Sequence, residues 1–268
     1  MAENWKKEFH VKLPSKSGQK RLGPSIGEMP IAGSSQRIDE IKKKYTTSKS
    51  LLLFDATVSM KRYWNVTMQS IDTIVHRILE VGGQHSVAMK IVAYRDYCDG
   101  DKLIEESPWS QSASELRVFI AGIQPIGGGD IPEAVDRALQ LAIREPEVSR
   151  IILIGDAPPH PEQDCRREAT ELGQMTRPVY PILVEEDAAT KEAFRMIADL
   201  SGGKLIELTH LEELFELVAL LIVHDVGGEE KVKEYTKRYQ LTSGGVRLVK
   251  MLTSGAPARR LTEWGVYK

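Results

Sequence analysis

Short apolar runs alternate along this chain with longer stretches in which apolar residues recur every three or four positions. The runs at 50–54, 86–94, 150–155 and 178–184 are brief and bounded by turn residues, as buried strands are. Shorter strands are expected around 102–105, after a Cys98-Asp99-Gly100-Asp101 turn, and at 204–208. Between the first two runs, Val66, Ile71, Ile74, Val75, Ile78 and Leu79 share one face of a helix over 61–81, which Gly82-Gly83 ends. His76 lies on that otherwise apolar face and is expected to be a packing residue. Further helices are expected at 112–122, 131–144, 162–173, 188–200 and 211–224. The one at 131–144 should start after Asp130, with Pro132 in its first turn. Repeated βα units imply right-handed crossovers and a mostly parallel sheet covered on both faces. The fold class is therefore α/β, a doubly wound, Rossmann-like sheet.

The ends of the chain read differently. Residues 1–35 are rich in Lys, Ser, Gly and Pro with no apolar period, so 1–47 is expected to be an extended or disordered basic arm. Residues 48–225 form the α/β domain. Residues 226–268 are expected to be a basic, partly helical extension, with a helix-like segment from Glu229 to Gln240, that either packs on the domain or binds a partner.

Charge sharpens this division. The formal net charge is −2, yet residues 1–49 carry 11 Lys/Arg against 5 Asp/Glu and residues 226–268 carry 9 against 4. The middle of the chain is therefore strongly acidic, which argues against nucleic acid as its partner. No run approaches the roughly 18 apolar residues of a membrane helix, and Met1–His10 lacks the apolar core of a secretory signal. Cys98 and Cys165 are the only cysteines, no Cys/His spacing suits zinc, and a cytoplasmic location is the expectation.

The chemistry sits where apolar runs stop. Leu51-Leu52-Leu53-Phe54 leads into Asp55-Ala56-Thr57-Val58-Ser59, and Ile151-Ile152-Leu153-Ile154-Gly155 leads into Asp156-Ala157-Pro158-Pro159-His160. Ligands of open α/β sheets bind beyond the carboxyl ends of the strands. Carboxylates and hydroxyls there are hard oxygen ligands suited to Mg²⁺ or Mn²⁺. Asp55, Thr57 and Ser59, at i, i+2 and i+4, can converge where the chain turns sharply before a helix. Asp156 can reach the same cavity from an adjacent strand, about 5 Å away. The loop Gly127-Gly128-Gly129-Asp130 is expected to contribute as well, because its glycines permit tight turns. The plain alternative is that Asp55 and Asp156 only cap turns.

These residues resemble the metal-ion-dependent adhesion site (MIDAS) of the von Willebrand factor type A (vWA) domain. That family's pattern is Asp-x-Ser-x-Ser, then a Thr in a Gly-rich loop, then an Asp after the fourth strand. Here it stands as Asp55-x-Thr57-x-Ser59 and Asp156, while Gly129 or Asp130 falls where the loop Thr would be, so Asp130 is the candidate replacement, directly or through water. Ala93-Tyr94-Arg95-Asp96-Tyr97, the segment 127–133 and Gly155–His160 look like the vWA subgroup of alpha-kinase-associated and hemicentin-like proteins. The resemblance covers about 50–225. It implies a non-enzymatic scaffold or adaptor that binds Mg²⁺ or Mn²⁺ through Asp55, Thr57, Ser59, Asp130 and Asp156. One coordination position is left for the carboxylate of a protein partner, with ATPases, kinases or phosphatases as associates.

Neighbouring residues have assigned expectations. Asp96 acts behind the ligands. Arg95 either clamps a ligand carboxylate or is a surface arginine paired with Asp96 or Asp99. His160, four positions after Asp156, is a candidate ligand or general acid–base residue, but the expectation is that it faces solvent or orients a neighbouring carboxylate. The rival reading is a haloacid-dehalogenase-like, Mg²⁺-dependent phosphohydrolase with Asp55 as nucleophile. That motif is incomplete: no second acidic residue closely follows Asp156, and no strand-end lysine falls in the right interval.

Overall fold

A computed structural model of the chain describes residues 48–82, 87–128, 131–160 and 165–254. The expected N-terminal arm and the last 14 residues lie outside this set. The elements are β1 (Ser48–Asp55), α1 (Lys61–Gly82), β2 (Val87–Tyr94), β3 (Ile104–Glu106), α2 (Ala113–Gly122), α3 (Val135–Arg144) and β4 (Arg150–Gly155). They continue with α4 (Arg166–Gln174), β5 (Val179–Leu183), α5 (Ala188–Ser201), β6 (Ile206–Glu207), α6 (Leu214–Arg238) and α7 (Ser243–Thr253).

The six strands pair in the order β3-β2-β1-β4-β5-β6, all parallel except β3, which runs antiparallel to β2. Chain order reverses between β1 and β4, because β1 continues outward to β2 on one side and β4 continues to β5 on the other. That is the topological switch point, where doubly wound sheets open a crevice. The expected α/β fold is the one observed.

Alternation along each strand divides the core in two. Leu52 and Phe54 of β1, with Ile152 and Ile154 of β4, face α1, α2, α6 and α7. Leu51 and Leu53, with Ile151 and Leu153, face α3, α4 and α5. α1 buries Tyr63, Trp64, Thr67, Ile71, Ile74, Val75, Ile78 and Val81. His76 is not a packing residue: its side chain is 72% exposed and lies 3.5 Å from Glu80, one turn on.

Two stretches depart from the expected elements. The helix expected from 131 begins only at Val135, and Pro132 lies in the loop before it. The backbone there is committed elsewhere: Glu133 N donates to Pro158 O (2.9 Å) and Ala134 N to Arg95 O (3.1 Å), Glu133 bridges to Pro159, and Ala134 (φ −80°, ψ 53°) lies outside helical geometry, so the helix starts after it. The helix expected at 211–224 continues as α6 through Asp225 to Arg238, with a kink at Gly227-Gly228. α7 then packs back on it, and Val232, Tyr235 and Leu248 enter the core beside α1.

Candidate metal centre

Asp55 is the last residue of β1 and has no exposed surface. Phe54 pairs with Ile154, so Asp55 leaves the sheet level with Gly155, one residue before Asp156. Asp55 Oδ1 accepts from the Thr57 amide (2.8 Å) and the Thr57 hydroxyl (2.7 Å), and Thr57 Oγ1 lies 3.2 Å from Ser59 Oγ. This hydrogen-bonded turn draws the three side chains together, as their spacing predicts. The turn is fixed from behind by the Trp64 indole N–H on Asp55 O (2.6 Å) and by stacking of Trp64 on Phe54.

The other carboxylate oxygen, Asp55 Oδ2, is buried and accepts no hydrogen bond. Burial, followed by the charge of Asp156, pushes the Asp55 carboxyl up to about 7, against the pull of the Thr57 hydrogen bonds. Asp156 thus lies near enough for its charge to act on Asp55. Gly155 makes the approach possible: a Cβ there would lie 2.6 Å from Tyr94 Oη and 3.6 Å from Asp55 Cβ. A cavity of about 250 Å³ opens at Asp156, lined by Thr57, Val58, Ser59, Gly127, Gly128, Ile131, Glu133, Asp156 and Ala157, with the fully buried Asp55 outside this lining. Gly127 has φ +81°, and a Cβ on it would strike the Asp99 carboxylate at 2.0 Å.

Gly129 and Asp130 lie outside the described residues. The loop nevertheless brings in a residue that the pattern did not single out. Glu133 is buried, and its Oε2 also has no partner. Burial, then the charges of Asp55, Asp96, Asp99 and Asp156, pushes its carboxyl up to about 10. Only its place three residues beyond Asp130 pointed to it.

Asp96 and His160 pair, His160 Nε2 lying against Asp96 Oδ1, so this histidine orients a carboxylate. Burial pushes the Asp96 carboxyl up. Hydrogen bonds from His160, Cys98 and the Tyr97 amide outweigh that and hold it at about 2. Arg95 is neither a clamp nor a surface residue. It is fully buried, and its guanidinium donates to Ala56 O (3.1 Å), Lys102 O (2.5 Å) and Gln124 O (2.9 Å) and pairs with Glu105 (2.9 Å). All three guanidinium nitrogens are engaged in holding loops together, and the side chain has no exposed surface from which to clamp a ligand.

The donor set suits a hard divalent ion. Thr57, Ser59, Glu133 and Asp156 bring hydroxyl and carboxylate oxygens to one cavity, and the buried Asp55 carboxylate, one of its oxygens unpaired, is hydrogen-bonded to Thr57 behind them. Among the described residues no group of three or more His, Cys, Asp or Glu side chains could hold a metal. An ion here would therefore rest on Asp55, Asp156, the hydroxyls and water.

A family model, the von Willebrand factor A domain, matches residues 50–210. The chain belongs to the vWA domain family. An ariadne-like RING finger protein of Acanthamoeba polyphaga mimivirus is 27% identical over 183 residues, which span 60% of this chain and 18% of that protein. Proximal thread matrix protein 1 of the mussel byssus superposes with a TM-score of 0.52 at 16% identity, over 68% of this chain and 48% of that one. A second structure of it has a zinc-occupied MIDAS motif, with a TM-score of 0.52 at 17% identity over the same shares. A von Willebrand factor type A structure from Catenulispora acidiphila gives 0.50 at 18%, over 68% and 43%. The chain thus spans less than half of each of these relatives. The vWA family is one of interaction modules, and the phosphohydrolase reading falls with that assignment.

Proposed function

We propose that this vWA domain is a divalent-cation-dependent protein-binding module. Asp55, Thr57, Ser59 and Asp156 hold Mg²⁺ or Mn²⁺ directly or through water, and a partner protein supplies a carboxylate. The observation that carries this reading is Asp55: a fully buried carboxylate with an unbonded oxygen, set against a second aspartate from the neighbouring strand. A turn cap has no need of that oxygen, and two neighbouring carboxylates repel unless a cation or proton lies between them.

When bound, a divalent cation would supply the positive centre that lets an acidic partner approach an acidic surface. The chain's own residues do the rest. Asp55 and Asp156 set the charge, Thr57 and Ser59 add neutral oxygens, and Arg95 ties the supporting loops together. The rim defines the partner further. Val58 and Ile131 line the cavity at 58% and 76% exposure, and Ile126 stands beside it at 40%. Apolar side chains held in water around a polar centre mark an interaction site. The partner segment should therefore present an Asp or Glu between apolar residues.

The likeness to a structure with zinc at its MIDAS supports a cation site without selecting the ion. A scaffold or adaptor role beside an ATPase, kinase or phosphatase, in the cytoplasm, completes the reading. Capture of partners on immobilised protein tests it. Binding should be present in Mg²⁺, lost in EDTA and lost in Asp55→Ala, whereas capture undiminished by EDTA would place the interface elsewhere.

A further inference from the structure

Far from the cation site, the sheet has an open edge at β6. Ile206 pairs with Ile182 and Glu207 with Leu183 of β5, and no described strand lies on the other side of β6. A groove of about 460 Å³ runs there between β6 and α7. The buried Ile206 and Leu248 and the half-buried Leu205 and Met251 supply its apolar lining, and Glu207 adds an exposed carboxylate. Two bridges brace the strand against the helix: Lys204 Nζ donates to Met251 O (2.6 Å) and Arg247 Nη2 to Thr209 Oγ1 (2.6 Å). Apolar surface kept in a braced groove is stabilised by whatever covers it.

The same bridges give a direction. Lys204, before β6, meets the end of α7, and Thr209, after β6, meets its middle, so the chain leaves α7 beside the start of β6. Met251 lies within one turn of that exit, and Ser254 (φ −81°, ψ 44°) is already outside helical geometry. Gly255 and Pro257 come next, residues that favour a turn over more helix. The 14 residues 255–268 then carry Leu261, Trp264, Val266 and Tyr267, with three basic residues, Arg259, Arg260 and Lys268, against the single acid Glu263.

Reach and charge both suit this segment. From Gly244 to Met251, α7 rises only about 10 Å, whereas the stretch from Ser254 to Leu261 extends up to about 23 Å. Covalent attachment gives an effective concentration on the order of mM, so a modest contact suffices. The basic pair at 259–260 is drawn to Glu207 and to the acidic body of the domain. We propose that residues 258–268 turn back from α7 and cover the groove at the β6 edge, with Leu261 and Trp264 on its apolar lining.

Fluorescence of the full chain tests this. Subtracting the Trp264→Phe spectrum from that of wild type isolates the emission of Trp264. That emission should be blue-shifted, shielded from acrylamide and independent of protein concentration. Met251→Asp, each time compared with its own Trp264→Phe partner, should shift it to the red and restore quenching. Thr209→Phe, which fills the groove from an exposed position, should do the same and carries the test if Met251→Asp loses its helical circular dichroism. Red, freely quenched Trp264 emission in wild type overturns the proposal and leaves the groove to another occupant. Shielding that persists in the folded groove variants overturns it by placing the segment elsewhere. Shielding lost on dilution also overturns it, because the cover then comes from a second copy of the chain.

Discussion

Asp55 connects the chemistry of the site to the stability of the fold. In the unfolded chain its carboxyl ionises near pH 4, while in the folded, cation-free protein burial and Asp156 push it up to about 7. Between those values the native state binds more protons than the unfolded one, so stability falls as pH rises. Glu133, pushed up to about 10, extends the decline. The cation-free melting temperature should therefore drop from about pH 5 to pH 7.5. Mg²⁺ should flatten that slope by stabilising the ionised forms, and Asp55→Asn should make it shallower while leaving the part that Glu133 contributes. A cation-free melting temperature that rises across this window would contradict the burial argument. The motif Asp55-x-Thr57-x-Ser59 was legible in the sequence because its geometry is local, one turn closing on its own hydrogen bonds. Glu133 and Arg95 were not, because their surroundings come from distant segments: Pro158 and Thr57 around one, Ala56, Lys102 and Gln124 around the other.

The loops that carry the site owe their shape to what is tied behind them. Arg95 joins the β1 loop, the turn before β3 and the segment after α2 through three carbonyls. Arg95→Leu leaves those carbonyls and Glu105 without their cation, a loss of about 3–5 kcal/mol on the scale of broken buried pairs. Chemical denaturation measures it, and a loss below about 1 kcal/mol, the scale of surface pairs, would contradict the buried role. Periodicity located β1, α1, β2, β4 and α5 nearly to the residue, since each buries one face or two by a simple repeat. It misplaced the start of α3, because Pro132 suits a loop as well as a first turn, and here Glu133 bridges to Pro159 and Ala134 leaves helical geometry. It divided α6 at Gly227-Gly228, where the two glycines leave helical geometry while the helix resumes beyond them.

At the scale of the molecule, charge and packing lead to different divisions of the chain. Composition changes at about residue 225, yet α6 crosses that point, and Val232, Tyr235 and Leu248 are buried in the core. The start of α7 is bound to α6 and the turn before it: Glu213 accepts from Ser243 Oγ (2.8 Å) and Gly244 N (2.7 Å), and Glu216 from Thr242 N (2.9 Å). Acidic side chains at a helix N-terminus are favourably placed. A chain ended at Asp225 should lose about 1.5–3 kcal/mol for each of Val232 and Leu248 and expose the face of α1 that α6 covers. Against a chain ended at Ser254 it should melt lower and bind a hydrophobic dye; equal melting temperatures would make 226–254 dispensable to the domain.

The central claim is that one divalent cation sits between the ends of β1 and β4. Anomalous diffraction from crystals grown with Mn²⁺ tests it most directly. One strong peak is expected within coordination distance, about 2.0–2.2 Å, of oxygens from Asp55, Thr57, Ser59 or Asp156. A peak elsewhere, or a fully occupied crystal showing only water between the two aspartates, would contradict it.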